Sequence, residues 1–411
     1  MAMDKDLYLN DGKFVAVYSF RERNVYVYLL KKDAFDNPTT IVNEKKWLQL
    51  LHKENNDSVL FEEFTTDYVK DILSKKESTV EYIYVEVNKN CNLKCLHCYV
   101  SEKHPDYRLS LAQFDRIINN LQDKAPIDIR LIGGEPGIHS ELVAICRRCM
   151  NVVAKKRHIL LTNCTMDEKL LKAVIATGIT LQVSVYGMSF ETYHAFSKGS
   201  RRDYDNLFRN LELLSKEYRD KVKLVYICTD ITKPELNDFI GFAQSNQFNY
   251  SYGGVMLMGR AEKNQSILGG RFEKEGAELP YEQVLNNKIC DLNRLCVFAN
   301  GDVTPCPCIQ IDNGDLLMGN VFSDTISDIM ESKKYKQFKD YTVDDVNDCR
   351  RCVLRYLCSA GCCGETFSVT GNVLGKYTQC CIDKSFEEIN DNGVYRVRKV
   401  NPGVFKLSKI E

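Results

Sequence analysis

Cys91, Cys95 and Cys98 stand three and then two residues apart in the stretch Cys91-Asn92-Leu93-Lys94-Cys95-Leu96-His97-Cys98. Three thiolates so close along the chain can hold three corners of a cuboidal iron–sulfur cluster. The fourth iron is then left without a protein ligand, unlike a cluster held by four cysteines. An open iron can bind a small chelating molecule. A zinc knuckle is the competing reading. Structural zinc, however, takes four ligands, and neither His97 nor His104 stands at a usual fourth-ligand spacing. A second group follows much later: Cys349, Cys352, Cys358 and Cys362 are separated by two, five and three residues, and seventeen more separate Cys362 from Cys380. Cys290, Cys296 and Cys306 precede that group, with four residues between Gly301 and Cys306. These eight thiolates could also build two zinc sites.

Positioning such residues takes a substantial frame, and 411 residues suffice for two or three domains. A content of 44% hydrophobic and 27% charged residues is that of an ordinary globular protein, and a net charge of −1 suggests neither a nucleic-acid nor a membrane surface. No apolar run approaches the roughly 20 residues that span a bilayer. The charged stretch Met1 to Asn10 lacks the apolar centre of a signal peptide. The expectation is a cytoplasmic protein, where many cysteines point to metal binding rather than disulfides. All eighteen lie at or after Cys91, and eleven lie at or after Cys290.

Residues 81 to about 256 alternate strand and helix. Strands are expected at Tyr82–Val87, Ile127–Ile132, His158–Leu161, Thr180–Val185, Val222–Ile227 and Tyr250–Met256. Helices are expected at Ser110–Asp123, Ser140–Ala154, Asp167–Thr177, Asp203–Tyr218 and Pro234–Asn246. Six such units make an α/β fold, a partial (βα)6 TIM-like barrel, whose chemistry gathers at the carboxyl ends of its strands. The cysteine loop follows the first strand, and Gly133-Gly134-Glu135-Pro136 follows the second. In front, Lys13–Phe20 and Asn24–Leu30 read as a hairpin, and Glu44–Lys53 and Thr66–Lys75 as helices. That layout is winged-helix-like, suited either to capping or to adding an extended peptide to a strand edge. The expected domains are 1–80, a barrel over 81–275, a cysteine-rich domain over 276–384 and a polar tail over 385–411 with one short strand near Val394–Val397.

The three-cysteine spacing, followed by Gly133–Pro136, resembles the signature of the radical S-adenosylmethionine (radical SAM) superfamily. The resemblance implies S-adenosylmethionine chelating the open iron through its amino and carboxylate groups. Gly133 and Gly134 would let the backbone approach the methionine part, Glu135 would hold its ammonium, and Pro136 would stiffen the turn. Thr162, Asn163 and Ser184, at the ends of the third and fourth strands, could meet ribose or carboxylate; strand-end capping is the alternative. His97 stands where many relatives carry an aromatic residue, either packing near the cofactor or bonding a loop carbonyl. Gly259-Arg260-Ala261 also recurs in relatives.

The later cysteines resemble the SPASM extension, which holds two auxiliary 4Fe–4S clusters. By similarity Cys290, Cys296, Cys306 and Cys362 would hold the first, and Cys349, Cys352, Cys358 and Cys380 the second. Cys308 competes with Cys306, and Cys381 with Cys380. With the Cys91–Cys98 loop this makes three 4Fe–4S clusters. Cys146, Cys149, Cys164, Cys228 and Cys363 are read as structural.

SPASM-type enzymes act largely on peptides and proteins. Sulfatase-maturing relatives carry an Asp directly after the cysteine that Cys306 matches; here Pro307 stands there. The resemblance, in layout only, of residues 1–80 to a precursor-recognition element points to maturation of a ribosomally made peptide through a thioether cross-link. Carbon–carbon or carbon–oxygen cross-linking, a sulfatase- or quinone-cofactor-type maturase, and a non-enzymatic metal or electron-transfer protein are the alternatives. The implied partners are a precursor peptide whose leader binds residues 1–80 and a flavodoxin- or ferredoxin-type electron donor.

Overall fold

The computed structural model describes residues 5–10, 14–21, 24–31, 80–100, 107–121, 127–269, 288–290, 292–309, 316–349, 358–378, 380, 393–401 and 404–410. They fall into two units. One comprises 78–272 with 291–340, and the other 1–77, 273–290 and 341–411.

The second of these begins with β1 (Lys5–Asn10), β2 (Phe14–Arg21) and β3 (Asn24–Lys31), an antiparallel set. The expected hairpin is thus present, with a further strand before it. The two helices expected at 44–53 and 66–75 lie outside the described residues.

The barrel unit carries β4 (Tyr82–Glu86), β5 (Asp128–Ile132), β6 (Ile159–Thr162), β7 (Thr180–Val185), β8 (Val222–Ile227) and β9 (Asn249–Gly253). All six pair in parallel, in chain order. Between them lie α1 (Leu111–Asn119), α2 (Leu142–Cys149), α3 (Glu168–Ile175), α4 (Phe190–Ser197), α5 (Arg201–Glu217) and α6 (Leu236–Ser245). Two short helices follow β9, α7 (Arg260–Lys263) and α8 (Gln265–Leu268). Sequence chemistry sets these starts. At α1, Ser110 Oγ accepts from the Gln113 amide at 3.2 Å while the Gln113 side chain accepts from the Ser110 amide at 2.9 Å, a reciprocal cap. Ser200 and Asp203 do the same for α5. Along β4 and β5 both faces are buried, as expected of parallel strands covered on two sides.

The sheet goes further than six strands. β10 (Arg294–Val297) lies parallel to β4, and β11 (Asp302–Thr304) and β12 (Gly319–Asn320) continue antiparallel beyond it. Among the described residues this mixed, mostly parallel sheet runs from β12 to β9 without closing. The first strands after residue 276 therefore extend the barrel sheet. Helices α9 (Ile326–Glu331) and α10 (Lys333–Asp340) complete this unit.

The other unit contains α11 (Cys363–Thr370) and the final hairpin, β13 (Gly393–Asn401) and β14 (Val404–Ile410). β13 pairs antiparallel with β3, giving a five-stranded sheet in the order β1-β2-β3-β13-β14. One short strand was expected near Val394–Val397; there are two full ones. Basic residues alternating with Val, Phe and Leu give this stretch a strand period beneath its polar appearance.

Candidate active site

The loop after β4 carries Cys91, Cys95 and Cys98. Its backbone is pinned to the end of α4, with the Lys94 amide donating to Ser197 O and the Leu96 amide to Phe196 O, both at 3.0 Å. On its other side it meets the turn after β9. The Arg260 amide donates to Cys98 O at 2.9 Å, and Asn264 Nδ2 donates to Leu96 O at 3.1 Å. Gly259 is required there: its φ is +59°, and a Cβ would lie 2.8 Å from Cys98 O. The recurring Gly259-Arg260 pair thus buttresses the cysteine loop.

The Leu93 amide donates to Cys91 Sγ at 3.3 Å, a bond suited to a thiolate. Desolvation pushes the Cys91 thiol up to about 12 and the buried Cys95 thiol up as well; neighbouring thiols raise both further, and Arg260 opposes. Among the described residues no three His, Cys, Asp or Glu side chains converge as a single-ion site requires. Three thiols on one loop suit a cuboidal cluster, whose thiolates sit on separate irons.

Glu135 stands at the end of β5 and is 2% exposed. Its carboxylate accepts from Thr162 Oγ1 at 2.5 Å, the Asn163 amide at 2.6 Å and the Gly137 amide at 2.7 Å. Burial raises its pKa, and those three donors oppose the rise. Among the described residues no cation pairs with it. A buried, fixed carboxylate without a cation fits an incoming ammonium. Thr162 and Asn163 are thus both turned to Glu135. Gly133 and Gly134 pack on Asn88–Asn90, between β4 and the first cysteine. A Cβ on Gly133 would lie 2.5 Å from Asn88 O, and one on Gly134 2.3 Å from Lys89 O and Asn90 O. Pro136 opens a short turn capped by Glu135 itself. Ser184 lies on β7 near the buried Tyr186 hydroxyl, whose pKa burial raises and Ser184 partly lowers.

His97 stacks on Phe196, with ring centroids 4.9 Å apart, and tilts against Tyr186 at 5.4 Å. Its buried Nδ1 has no hydrogen-bond partner, and desolvation lowers its pKa to about 4, keeping it neutral. It packs as an aromatic ring rather than bonding a carbonyl through Nδ1.

Sequence reading passed over a polar clamp on α5. Asp203, Asn206 and Asn210 lie on one helical face. Asp203 Oδ1 accepts from Asn92 Nδ2 at 2.8 Å, Asn206 Nδ2 donates to Thr165 O at 3.1 Å, and Asn210 Nδ2 donates to Cys164 O and Met166 O at 2.8 Å. The helix thereby fastens both the cysteine loop and the loop after β6. Cys164, 0% exposed at φ +57°, lies in the turn that aims the Asn163 amide at Glu135.

Of the later cysteines, Cys296 lies on β10 and Cys306 after β11, both in the barrel unit and within electrostatic reach of each other. Cys308, Cys296 and Cys98 all influence the Tyr99 hydroxyl, which burial keeps protonated. Cys290, Cys349, Cys358, Cys362 and Cys380 belong to the other unit. There Tyr377 is buried with Cys362 and Cys380 packed against it. The same ring lies 2.3 Å from where a Cβ on Gly361 would be. Cys352 and Cys381 lie outside the described residues. Cys146, Cys149 and Cys164 are wholly buried, and Cys228 and Cys363 nearly so.

Residues 85–243 match the model of the radical SAM superfamily, and residues 290–353 that of SPASM, an iron–sulfur cluster-binding domain. The chain carries a radical SAM domain followed by a SPASM domain. Its two domains imply S-adenosylmethionine and 4Fe–4S clusters as cofactors, and the superfamily is one of enzymes. Molybdenum cofactor biosynthesis protein moc-5 of Caenorhabditis elegans is 27% identical over 198 residues, 46% of this chain and 32% of that protein. A GTP 3',8-cyclase of Limosilactobacillus fermentum is 24% identical over 199 residues, 47% of this chain and 59% of that protein. The chain therefore spans less than two thirds of either relative. Among solved structures, Streptococcus suis SuiB bound to its precursor peptide SuiA has a TM-score of 0.58 at 14% identity, covering 92% of this chain and 99% of that one. Native anSMEcpe with bound AdoMet has a TM-score of 0.56 at 18% identity, covering 75% of this chain and 96% of that one. At these identities the radical SAM chain shares their fold. Among its described residues no helix is long and apolar enough to cross a membrane.

Proposed function

We propose that this radical SAM protein installs a thioether cross-link, from a Cys sulfur to a carbon, in a ribosomally made precursor peptide. Cys91, Cys95 and Cys98 would hold one 4Fe–4S cluster. S-adenosylmethionine bound at such a cluster supplies, on reduction, a 5′-deoxyadenosyl radical that takes hydrogen from an unactivated carbon. Glu135 would accept the ammonium of the methionine part, oriented by Thr162, Asn163 and the Gly137 amide. His97, Phe196 and Tyr186 would give the cofactor an apolar wall and keep water away. Cys290, Cys296, Cys306 and Cys362, and Cys349, Cys352, Cys358 and Cys380, would hold two auxiliary clusters that take the electron left when the carbon–sulfur bond closes.

The observation that carries the reading is the pairing of the Glu135 site with a SPASM match over residues 290–353. The likeness of fold to SuiB, solved with its precursor peptide, supports a peptide substrate. So does the antiparallel sheet around β3, whose outer edges suit an extended leader. A flavodoxin- or ferredoxin-type protein would deliver the electron, in the cytoplasm. Incubating the anaerobically reconstituted protein with a Cys-containing precursor should remove two hydrogens per cross-link, and thiol alkylation should then spare the linked Cys. Loss of two hydrogens with every Cys still alkylated would replace the thioether by a carbon–carbon or carbon–oxygen bond.

A further inference from the structure

Two loops must keep a fixed separation for the proposed cofactor site to work: the one bearing Cys91, Cys95 and Cys98, and the one that fixes Glu135. The Asn92 side chain joins them, beside two bonds that hold the Glu135 backbone to the start of the cysteine loop: the Glu135 amide donates to Asn90 O at 2.8 Å, and Asn88 Nδ2 donates to Glu135 O at 3.1 Å. Asn92 Oδ1 accepts from Asn163 Nδ2 at 3.0 Å, and the Asn163 amide donates to Glu135 Oε2 at 2.6 Å. The Asn92 amide group donates to Thr165 Oγ1 at 2.9 Å and to Asp203 Oδ1 at 2.8 Å. Thr165 closes the circuit, since its hydroxyl donates to Asn163 Oδ1 at 2.8 Å and its amide to the same oxygen at 3.1 Å. Asp203 is held in turn by the α5 cap, accepting from the Ser200 amide at 2.8 Å and the Ser200 hydroxyl at 2.6 Å. Both donors and the oxygen of the Asn92 side chain thus tie a cysteine neighbour to the Glu135 neighbour and to a helix end.

The geometry points to Asn92 and Asp203 as a positioning latch that, through Asn163, fixes how the Glu135 carboxylate faces the cysteine loop, and so selects a ligand that spans both with one amino-acid group. Neither residue needs to touch that ligand. The inference rests on the reading of this site as the one for S-adenosylmethionine. A latch differs from a merely structural contact in one respect. Its loss loosens the grip on the two-ended ligand while the cysteines still assemble their cluster.

The test uses the full chain, reconstituted anaerobically, with S-adenosylmethionine as probe. For Asn92→Ala, iron and sulfide content should equal wild type. The dissociation constant should rise roughly tenfold, the equivalent of about 1.4 kcal/mol. The change in the reduced protein's EPR spectrum on adding S-adenosylmethionine should shrink in parallel. Asn92→Asp sets two carboxylates together and should weaken binding at least as much. Combining it with Asp203→Asn restores the donor–acceptor bond at 203, though not the one to Thr165, and affinity should recover at least about threefold over Asn92→Asp alone. Wild-type affinity in Asn92→Ala, or no recovery in the paired variant, overturns the latch. Failure of the underlying reading looks different: wild type itself then shows no binding and no spectral change.

Discussion

Glu86 and Glu135 close neighbouring strands, and both are 2% exposed, yet their surroundings differ. Glu135 has three short donors. Glu86 has one long bond, from the Ala299 amide at 3.4 Å, and desolvation lifts its pKa from 4.5 to about 7, with Lys89 opposing. The folded protein therefore holds this proton more tightly than the unfolded chain does. The resulting stabilisation is full below about pH 4.5 and is lost as pH rises through about 7, on the order of 3 kcal/mol in all. Urea denaturation of the cluster-free protein across this range should show stability falling with pH, and Glu86→Gln should flatten that fall. Equal pH slopes in the two proteins would contradict it. Glu135→Gln keeps an acceptor but loses the charge that meets an ammonium. S-adenosylmethionine binding, measured by equilibrium dialysis, should weaken roughly tenfold or more; unchanged binding would remove Glu135 from the site. The cysteine loop and Glu135 were legible because each motif is local. The Asn92–Asp203 bond was not, since it joins residues 111 apart and neither type is unusual in a loop or a helix cap.

Strands and helices were legible where period and length agreed. Thr180–Val185 and Val222–Ile227 stand at their expected bounds, and the first two strand-to-cysteine and strand-to-glycine junctions fall where the motifs require. β10 escaped because Arg294–Val297 is only four residues long and sits among cysteines and turn residues. The glycines of the Gly133–Gly134 pair also carry more than the motif suggests. They let the end of β5 lie against Asn88–Asn90, which fixes where the cysteine loop begins. Gly134→Ala would push a methyl into backbone oxygens 2.3 Å away, at a cost of roughly 1–3 kcal/mol. We expect a lower melting temperature and reduced iron retention after gel filtration. A variant that melts and retains iron like wild type would show that β5 and the loop are not coupled through this contact.

At the scale of the whole chain, the ends meet in one sheet. The final hairpin was read as a polar tail because charge masked its period, yet β13 supplies the partner of β3. Removing residues 393–411 should leave the β3 edge unpaired. Limited proteolysis should then cut within the first 31 residues faster than in the full chain; equal rates would mean the hairpin adds little. The barrel unit likewise takes in residues 291–340, so the match to a SPASM domain spans both units. Strand pairing rather than cysteine content groups residues 291–340 with the barrel, through β10 beside β4. The central claim is that Cys91, Cys95 and Cys98 hold the cluster at which S-adenosylmethionine is cleaved. Anaerobic protein, S-adenosylmethionine and a low-potential reductant should yield 5′-deoxyadenosine by liquid chromatography–mass spectrometry. The variant with all three cysteines changed to Ala should yield none and should lose one cluster's share of iron. A colourless zinc protein, or 5′-deoxyadenosine formed by the variant at the wild-type rate, would contradict it.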